Sequence, residues 1–325
     1  MAIISLVLSF VITVIAAKFL IPVLKSIKMG QKILDIGPRW HKSKEGTPTM
    51  GGIFFIAGVT VCVAAYAVYA SSMGENVRDL ITNYSFMLLC GLTGFVDDRT
   101  KFMKKQNKGL SASQKLVLQF GSAGAYLFAL YAGRNVDTSV ALPFTDARIE
   151  LGVFYYILLI VGIVYTVNAV NLTDGIDGLA SSVTTFACVF FAAICYKTES
   201  EAGLVLASAL VGGCLGFLVY NFYPARVFMG DTGSLFLGGG VSALAVWLDM
   251  PLILIFVGFI YYVEAISVVL QVFSFKVFKK RIFKMSPIHH HFEMCGWNEI
   301  KIVVVFSLVT IVMAAVGSYG FLIAK

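Results

Sequence analysis

The chain has 325 residues, 58% of them hydrophobic and 13% charged, with a formal net charge of +7. A mean hydropathy of +0.86, with about half the charge content of an ordinary soluble domain, excludes a water-soluble enzyme, a disordered chain and a disulfide-stapled secreted domain. What remains is an all-α polytopic integral membrane protein, a single domain over 1–325, whose active site must be built from helix ends and connecting loops.

Apolar runs of ~18 or more residues, broken where charge or Gly/Pro clusters intervene, predict ten spans near 3–24, 51–72, 80–96, 116–133, 153–170, 178–196, 202–222, 234–249, 252–275 and 302–323. The first run lacks a basic n-region and a small-residue cleavage site, so it reads as a span rather than a signal peptide. Five of the six cysteines lie inside apolar runs, and Cys295 lies in a basic connection. No disulfide framework is implied.

Orientation follows from Lys and Arg, which are retained in the cytoplasm. Lys25, Lys28, Lys32, Arg39, Lys42 and Lys44 follow the first span, and Arg99, Lys101, Lys104, Lys105, Lys108 and Lys115 follow the third. Arg226, Lys276, Lys279, Lys280, Arg281, Lys284 and Lys301 lie on that same side, against Arg78, Arg134, Arg148, Lys197 and Lys325 on the other. Both termini are therefore expected outside, with the odd-numbered connections cytoplasmic. For most of these lysines, topology and contact with anionic lipid are a sufficient explanation.

Four polar strings fall on the predicted cytoplasmic face. Asp97-Asp98 ends the third span, with Lys101, Lys104 and Lys105 close behind. Adjacent carboxylates raise each other's proton affinity unless cations offset them, so an interfacial polar cap competes with a site for a divalent cation and phosphate. Asn168, Asn171, Asp174 and Asp177 recur every three residues, a spacing expected to keep them on a slowly rotating face of one helix. A tight turn would use the same residue types. Asn221 to Ser234 opens the eighth span, where Asp231 is either a bare N-cap or a hard oxygen ligand for Mg²⁺. His289-His290-His291 stands in the last basic connection. Zinc fits poorly there, because no cysteine or carboxylate lies at ligand spacing, which leaves a solvated patch or imidazoles donating to substrate oxygens. Carboxylates, lysines and imidazoles on one membrane face are together the parts of Mg²⁺-assisted phosphoryl transfer.

Asp97-Asp98, Asn171-Leu172-Thr173-Asp174-Gly175-Ile176-Asp177-Gly178 and Phe228-Met229-Gly230-Asp231-Thr232-Gly233-Ser234 resemble the signatures of the polyprenyl-phosphate N-acetylhexosamine-1-phosphate transferases. Gly46-Thr47-Pro48-Thr49-Met50-Gly51-Gly52 and Pro287-Ile288-His289-His290-His291-Phe292-Glu293 resemble, more narrowly, the bacterial phospho-N-acetylmuramoyl-pentapeptide-transferase branch. The resemblance runs in order over essentially the whole chain. It implies transfer of phospho-MurNAc-pentapeptide from UDP to undecaprenyl phosphate, with Mg²⁺, in peptidoglycan synthesis. It also implies a homodimer surrounded by lipid in the bacterial inner membrane, with its cleft facing the cytoplasm; nothing points to nucleic acid.

By the same resemblance Asp231 is the leading Mg²⁺ ligand and Asp97 the base or phosphate-activating carboxylate, with Asp98 supporting both. Asn171, Asp174, Asp177, Asn221 and Gly230 are expected to shape the nucleoside and metal side, with Phe228 stacking on uracil. Lys44, Lys101 and Lys115 are expected to meet the diphosphate and polyprenyl phosphate, and His289, His290 and His291 the sugar-phosphate or peptide. The ninth span, bent in the family, carries Glu264 and Gln271 and is a candidate lipid groove. Glu264 competes between packing and a site role. A sister transferase using UDP-GlcNAc is one rival. A cation-coupled transporter is another, but it would place ionisable groups near mid-membrane, whereas only Lys18 and Glu264 lie in the interior of predicted spans.

Overall fold

The computed structural model describes residues 1–27, 44–104 and 109–323. Lys28, Lys32, Arg39, Lys42, Lys105, Lys108 and Lys325, used for orientation, lie outside the described residues.

Helices occupy all ten predicted segments. The first eight are α1 (Ala2–Ser26), α2 (Gly52–Ser72), α3 (Arg78–Lys104), α4 (Ala112–Tyr131), α5 (Val153–Thr173), α6 (Leu179–Lys197), α7 (Glu201–Asn221) and α8 (Gly230–Trp247). The ninth segment is interrupted: a 3-10 turn, Pro251–Ile253, leads into α9 (Leu254–Val257), Gly258 breaks the run, and α10 (Phe259–Phe278) continues it. The short helix α11 (Ile288–Met294) carries the histidines, and α12 (Glu299–Ile323) closes the chain. Between α4 and α5 a small antiparallel hairpin pairs β1 (Ser139–Ala141) with β2 (Arg148–Glu150), an element the hydropathy pattern does not reveal.

Among the described residues, eight helices are long and apolar enough to cross a membrane: α1, α2, α3, α5, α6, α7, α10 and α12. The other two predicted spans are less apolar for separate reasons. α4 opens on Ser113, Gln114 and Lys115 and buries Gln119. α8 opens on Asp231 and is glycine-rich, and it is enclosed, with every residue from Thr232 to Val246 buried. α8 lies along α3, with α5 and α2 alongside. A Cβ on Gly238 would stand 2.7 Å from the Val167 Cα, and one on Gly239 would stand 3.1 Å from Cys90. Small residues permit this close helix approach where lipid supplies no hydrophobic drive between helices. Outward faces are apolar instead: Ile3, Val7 and Ile15 on α1, Val269 and Phe273 on α10, Leu308 and Val312 on α12.

The consequence for the site is geometric. The central helix presents its polar first turn at one end of the bundle, where α3 and α5 also end.

Candidate active site

α3 continues a full two turns beyond its apolar part, so Asp97 and Asp98 sit within helix rather than at its terminus. α8 begins at Gly230, whose φ of +71° is left-handed and suits glycine. The first N–H groups of any helix lack internal partners, and α8 has no capping side chain of its own. Asp98 supplies one from α3. Its carboxylate accepts from the Asp231 N–H (3.2 Å), the Thr232 N–H (2.9 Å) and the Thr232 hydroxyl (2.7 Å). Gly94 makes the approach possible, since a Cβ there would stand 2.1 Å from the Asp231 carbonyl oxygen.

Held in this way, Asp231 meets Asp97 and Asp98 in a group whose ligand oxygens lie within 4.8 Å of one another. Two ammonium groups are threaded between them. Lys101 Nζ lies 2.6 Å from Asp97, 3.7 Å from Asp98 and 3.1 Å from Asp231. Lys115 Nζ lies 2.8 Å from Asp231 and donates to Asn171 Oδ1 at 3.2 Å. Lys115 is aimed by the start of its own helix, a capping box in which the Ser111 side chain and the Gln114 N–H, and the Gln114 side chain and the Ser111 N–H, pair reciprocally. Asn171, at the end of α5, donates from Nδ2 to Asp231 at 3.0 Å and to Ser234 at 2.7 Å. Desolvation acts to raise the Asp231 pKa, but Lys115 and Lys101 outweigh it and hold this carboxyl well below the usual range. Asp97 is covered by the loop before α4, whose Leu110 N–H donates to it at 2.8 Å.

Three converging carboxylates fit a hard dication, which takes oxygen ligands and leaves room for substrate phosphate. Lys101 and Lys115 already place positive charge where a diphosphate would need it.

α5 ends at Thr173, so only Asn168 and Asn171 share a helical face; Asp174 and Asp177 belong to the following turn. The expectation of one polar helical face through Asp177 is thereby corrected, because Gly175 and Gly178 end the helix before the repeat is complete. Asp174 is desolvated and faces Asp231, Asp98 and Asp177, which together push its pKa well up. Asp177 is buried and tied at several points: Lys44 Nζ lies 2.7 Å from it, the Ala225 N–H donates to it at 2.8 Å, and its own N–H donates to Glu299 at 2.9 Å. Lys44 also pairs with Glu299 at 2.6 Å. Buried Asn221 accepts from the Gly178 N–H and donates to the Val227 carbonyl, fastening this turn to the next string. That string pairs in turn with residues 48–52: the Phe228 N–H donates to the Pro48 carbonyl, and the Phe228 carbonyl accepts from the Gly51 N–H. Phe228 itself is half-buried.

The histidines stand apart from the carboxylate group. His289 and Glu264 are each 0% exposed, with Nδ1 of one 3.1 Å from Oε1 of the other. The solvated-patch alternative is therefore excluded for His289. His290 Nδ1 lies 2.6 Å from Glu293, and His291 Nδ1 accepts from the Lys284 N–H. Gln271 is occupied by backbone: it accepts from the Ile282 and Phe283 N–H groups and donates to the Phe283 carbonyl.

Glu299 is a site residue that the sequence reading does not single out. Its one signal is an acid in the first turn of the last span, which favourable helix-dipole placement alone explains. Thr232 and Ser234 were quoted only as part of a motif, yet both hydrogen-bond directly to the site's polar side chains.

The chain is similar to known proteins along nearly its whole length. The model of glycosyl transferase family 4 matches residues 80–249, which contain the whole carboxylate–lysine group. Signature 1 of phospho-N-acetylmuramoyl-pentapeptide-transferase matches residues 44–56, the stretch paired with Phe228. Proteins named phospho-N-acetylmuramoyl-pentapeptide-transferase are 45% identical in Clostridium botulinum (strain Alaska E43 / Type E3), over 96% of this chain and 94% of the relative. One in Acetivibrio thermocellus is 45% identical over 97% and 93%, and one in Clostridium kluyveri is 44% identical over 96% and 97%. At this identity and with nearly full coverage on both sides, the chain belongs to the phospho-N-acetylmuramoyl-pentapeptide-transferase family.

Proposed function

We propose that this cleft transfers phospho-MurNAc-pentapeptide from UDP-MurNAc-pentapeptide to undecaprenyl phosphate, giving undecaprenyl-diphospho-MurNAc-pentapeptide and UMP in peptidoglycan synthesis. The observation that carries the reading is the convergence of Asp97, Asp98 and Asp231 with Lys101 and Lys115 at the ends of α3, α4 and α8. In the reaction a phosphate oxygen of the acceptor bonds to the sugar-bearing phosphorus, and the bond from that phosphorus to the UMP oxygen breaks. Charge accumulates on the phosphoryl oxygens, so positioning and electrostatic stabilisation do most of the work.

Asp231, with Asp97 and Asp98 beside it, is the set that would hold Mg²⁺. The ion, when bound, polarises the phosphoryl group and neutralises diphosphate charge. Lys101 and Lys115 release their carboxylate contacts to meet donor and acceptor phosphates. Asp97, at the rim near Leu110, keeps the acceptor phosphate deprotonated and directed. Asn171, Asp174 and Phe228 form the nucleoside side, and His290 and His291 reach the sugar-phosphate or peptide. Asp177, Asn221, Gly230 and Lys44 shape that cleft from beneath. The chain crosses the bacterial inner membrane ten times as a homodimer, with both termini outside and the cleft facing the cytoplasm. The grouping of basic residues at this end supports the orientation.

Incubating purified protein with UDP-MurNAc-pentapeptide, undecaprenyl phosphate and Mg²⁺ should release UMP. Release from UDP-GlcNAc in its place would move the chain to the sister activity, and no release from either would refute the reading.

A further inference from the structure

Glu264 lies on α10 inside a predicted span, and His289 opens α11; both are fully enclosed. An ionisable pair withdrawn from water gives little stability compared with apolar residues of the same size, so its presence calls for another explanation. Beyond the 3.1 Å contact between Nδ1 and Oε1, the other Glu264 oxygen lies 3.4 Å from the His289 backbone N–H. The carboxylate thus hydrogen-bonds the main chain of His289 and lies against its ring, where Nδ1 and Oε1 are close but not hydrogen-bonded.

The far edge of the ring points the opposite way. His289 Nε2 is buried without a hydrogen-bond partner among the described residues, and it lies directly beneath Gly175. A Cβ built on Gly175 would stand 2.2 Å from Nε2 and 2.5 Å from Cε1. Gly175 has no left-handed φ to explain it; it is glycine because an imidazole fills the space where a side chain would go. Gly175 is itself exposed, and its chain neighbour is Asp174, which faces Asp231 and Asp98 across the cleft.

We propose that Glu264 is a positioning residue that acts through His289: it holds the imidazole as a wedge under Gly175 and so fixes the turn that presents Asp174 to the donor side of the cleft. Glu264 touches neither substrate, and it is not part of the lipid groove. This rests on the transferase reading above, and the unmodified enzyme tests that reading separately by releasing UMP.

The experiment compares purified Glu264→Ala, Glu264→Gln, Gly175→Ala and the double variant Gly175→Ala/Glu264→Ala in detergent, with kcat and KM measured for each substrate. Loss of a group that orients a site residue costs ~10-fold or more. Glu264→Ala and Gly175→Ala should each lower kcat/KM for UDP-MurNAc-pentapeptide by about that factor, with KM for undecaprenyl phosphate within about two-fold of the parent. Residues acting as one unit are non-additive, so the double variant should be no worse than the worse single one. Glu264→Gln should keep most activity, because its amide oxygen can still accept from the His289 backbone N–H and the side chain still fills the space against the ring. Gly175→Ala alters an exposed turn and keeps the proposal testable should Glu264→Ala fail to fold. Parent-like kcat/KM in folded Glu264→Ala or in Gly175→Ala would overturn the proposal. So would multiplicative losses in the double variant, an equal rise in KM for both substrates, or Glu264→Gln as damaged as Glu264→Ala.

Discussion

Around Asp231, three carboxylates and two ammonium groups share one space, and each lysine contacts more than one partner or is partly open to solvent. Around His289, contacts are fewer and local: enclosed Glu264 lies against enclosed His289, Glu293 meets His290, and Gln271 bonds the backbone of residues 282–283. The first region is over-supplied with interchangeable contacts and can exchange them for phosphate and metal. Contacts in the second link neighbours on α10, α11 and the loop between them, and none reaches the carboxylate group. The difference separates motif residues of similar polarity: in one region carboxylates and ammonium groups share partners, in the other the contacts are local to neighbouring segments.

The largest effect is expected in the first region. Asp231→Asn removes the charge on which Lys101, Lys115 and Asn171 converge. Substitution of groups that merely support metal ligands costs ~10–100-fold, so loss of a ligand should lower kcat by more than ~10²-fold with the protein still folded in detergent. Retained turnover with unchanged Mg²⁺ dependence would remove Asp231 from the metal set and erase the contrast.

Asp98→Asn should come next. Asp98 is nominally one of three ligands, yet its oxygens already receive three donors from the start of α8. An asparagine keeps one acceptor and turns an NH₂ toward the remaining donors. A cap substitution costs ~1 kcal/mol, and charge-assisted bonds raise that figure. We expect a melting-temperature drop of several degrees together with a kcat loss of ~10-fold or more. A kcat loss with no change in melting would make Asp98 a ligand rather than a cap.

His290→Ala tests the second region where it borders the cleft. Hydrogen bonds to donor oxygens are worth ~0.5–1.5 kcal/mol, more toward phosphate. Use of UDP-MurNAc-pentapeptide should weaken by roughly ten-fold, while the Mg²⁺ concentration for half-maximal rate stays constant. A sharp rise in that concentration with unchanged donor binding, measured by calorimetry, would merge the two regions.

The smallest effect belongs to Gln271→Ala. With its amide committed to the loop after α10, its loss should cost about 1 kcal/mol of stability and change substrate KM values by less than ~3-fold. A larger rise in KM for undecaprenyl phosphate alone would restore it to a lipid site.

The sequence makes the helices and the chemistry legible for the same reason: apolar runs and charged interruptions are both local. All ten segments and the Asp97, Asp98 and Asp231 strings can be read in this way. Register at the ends is less so, because α3 extends to Lys104 through charged residues that a hydropathy pattern counts as loop. Partnerships across distance are not legible at all. Nothing near Lys44 in the sequence announces that it meets Asp177 and Glu299, 133 and 255 positions away. Likewise, nothing in α10 itself announces that Glu264 faces a histidine 25 residues on.

The glycines at the root of the cleft bear on how it accommodates a bulky donor. A Cβ on Gly52 would stand 2.3 Å from the Gly233 Cα, and Gly94 meets the Asp231 main chain as closely. At Gly52–Gly233 and Gly94–Asp231, α2 and α3 therefore meet α8 backbone to backbone, with no side chain between them at those two points. That wall is a fixed anvil. The main chains that carry Asp97, Asp98 and Asp231 therefore keep their spacing while the side chains they bear exchange partners.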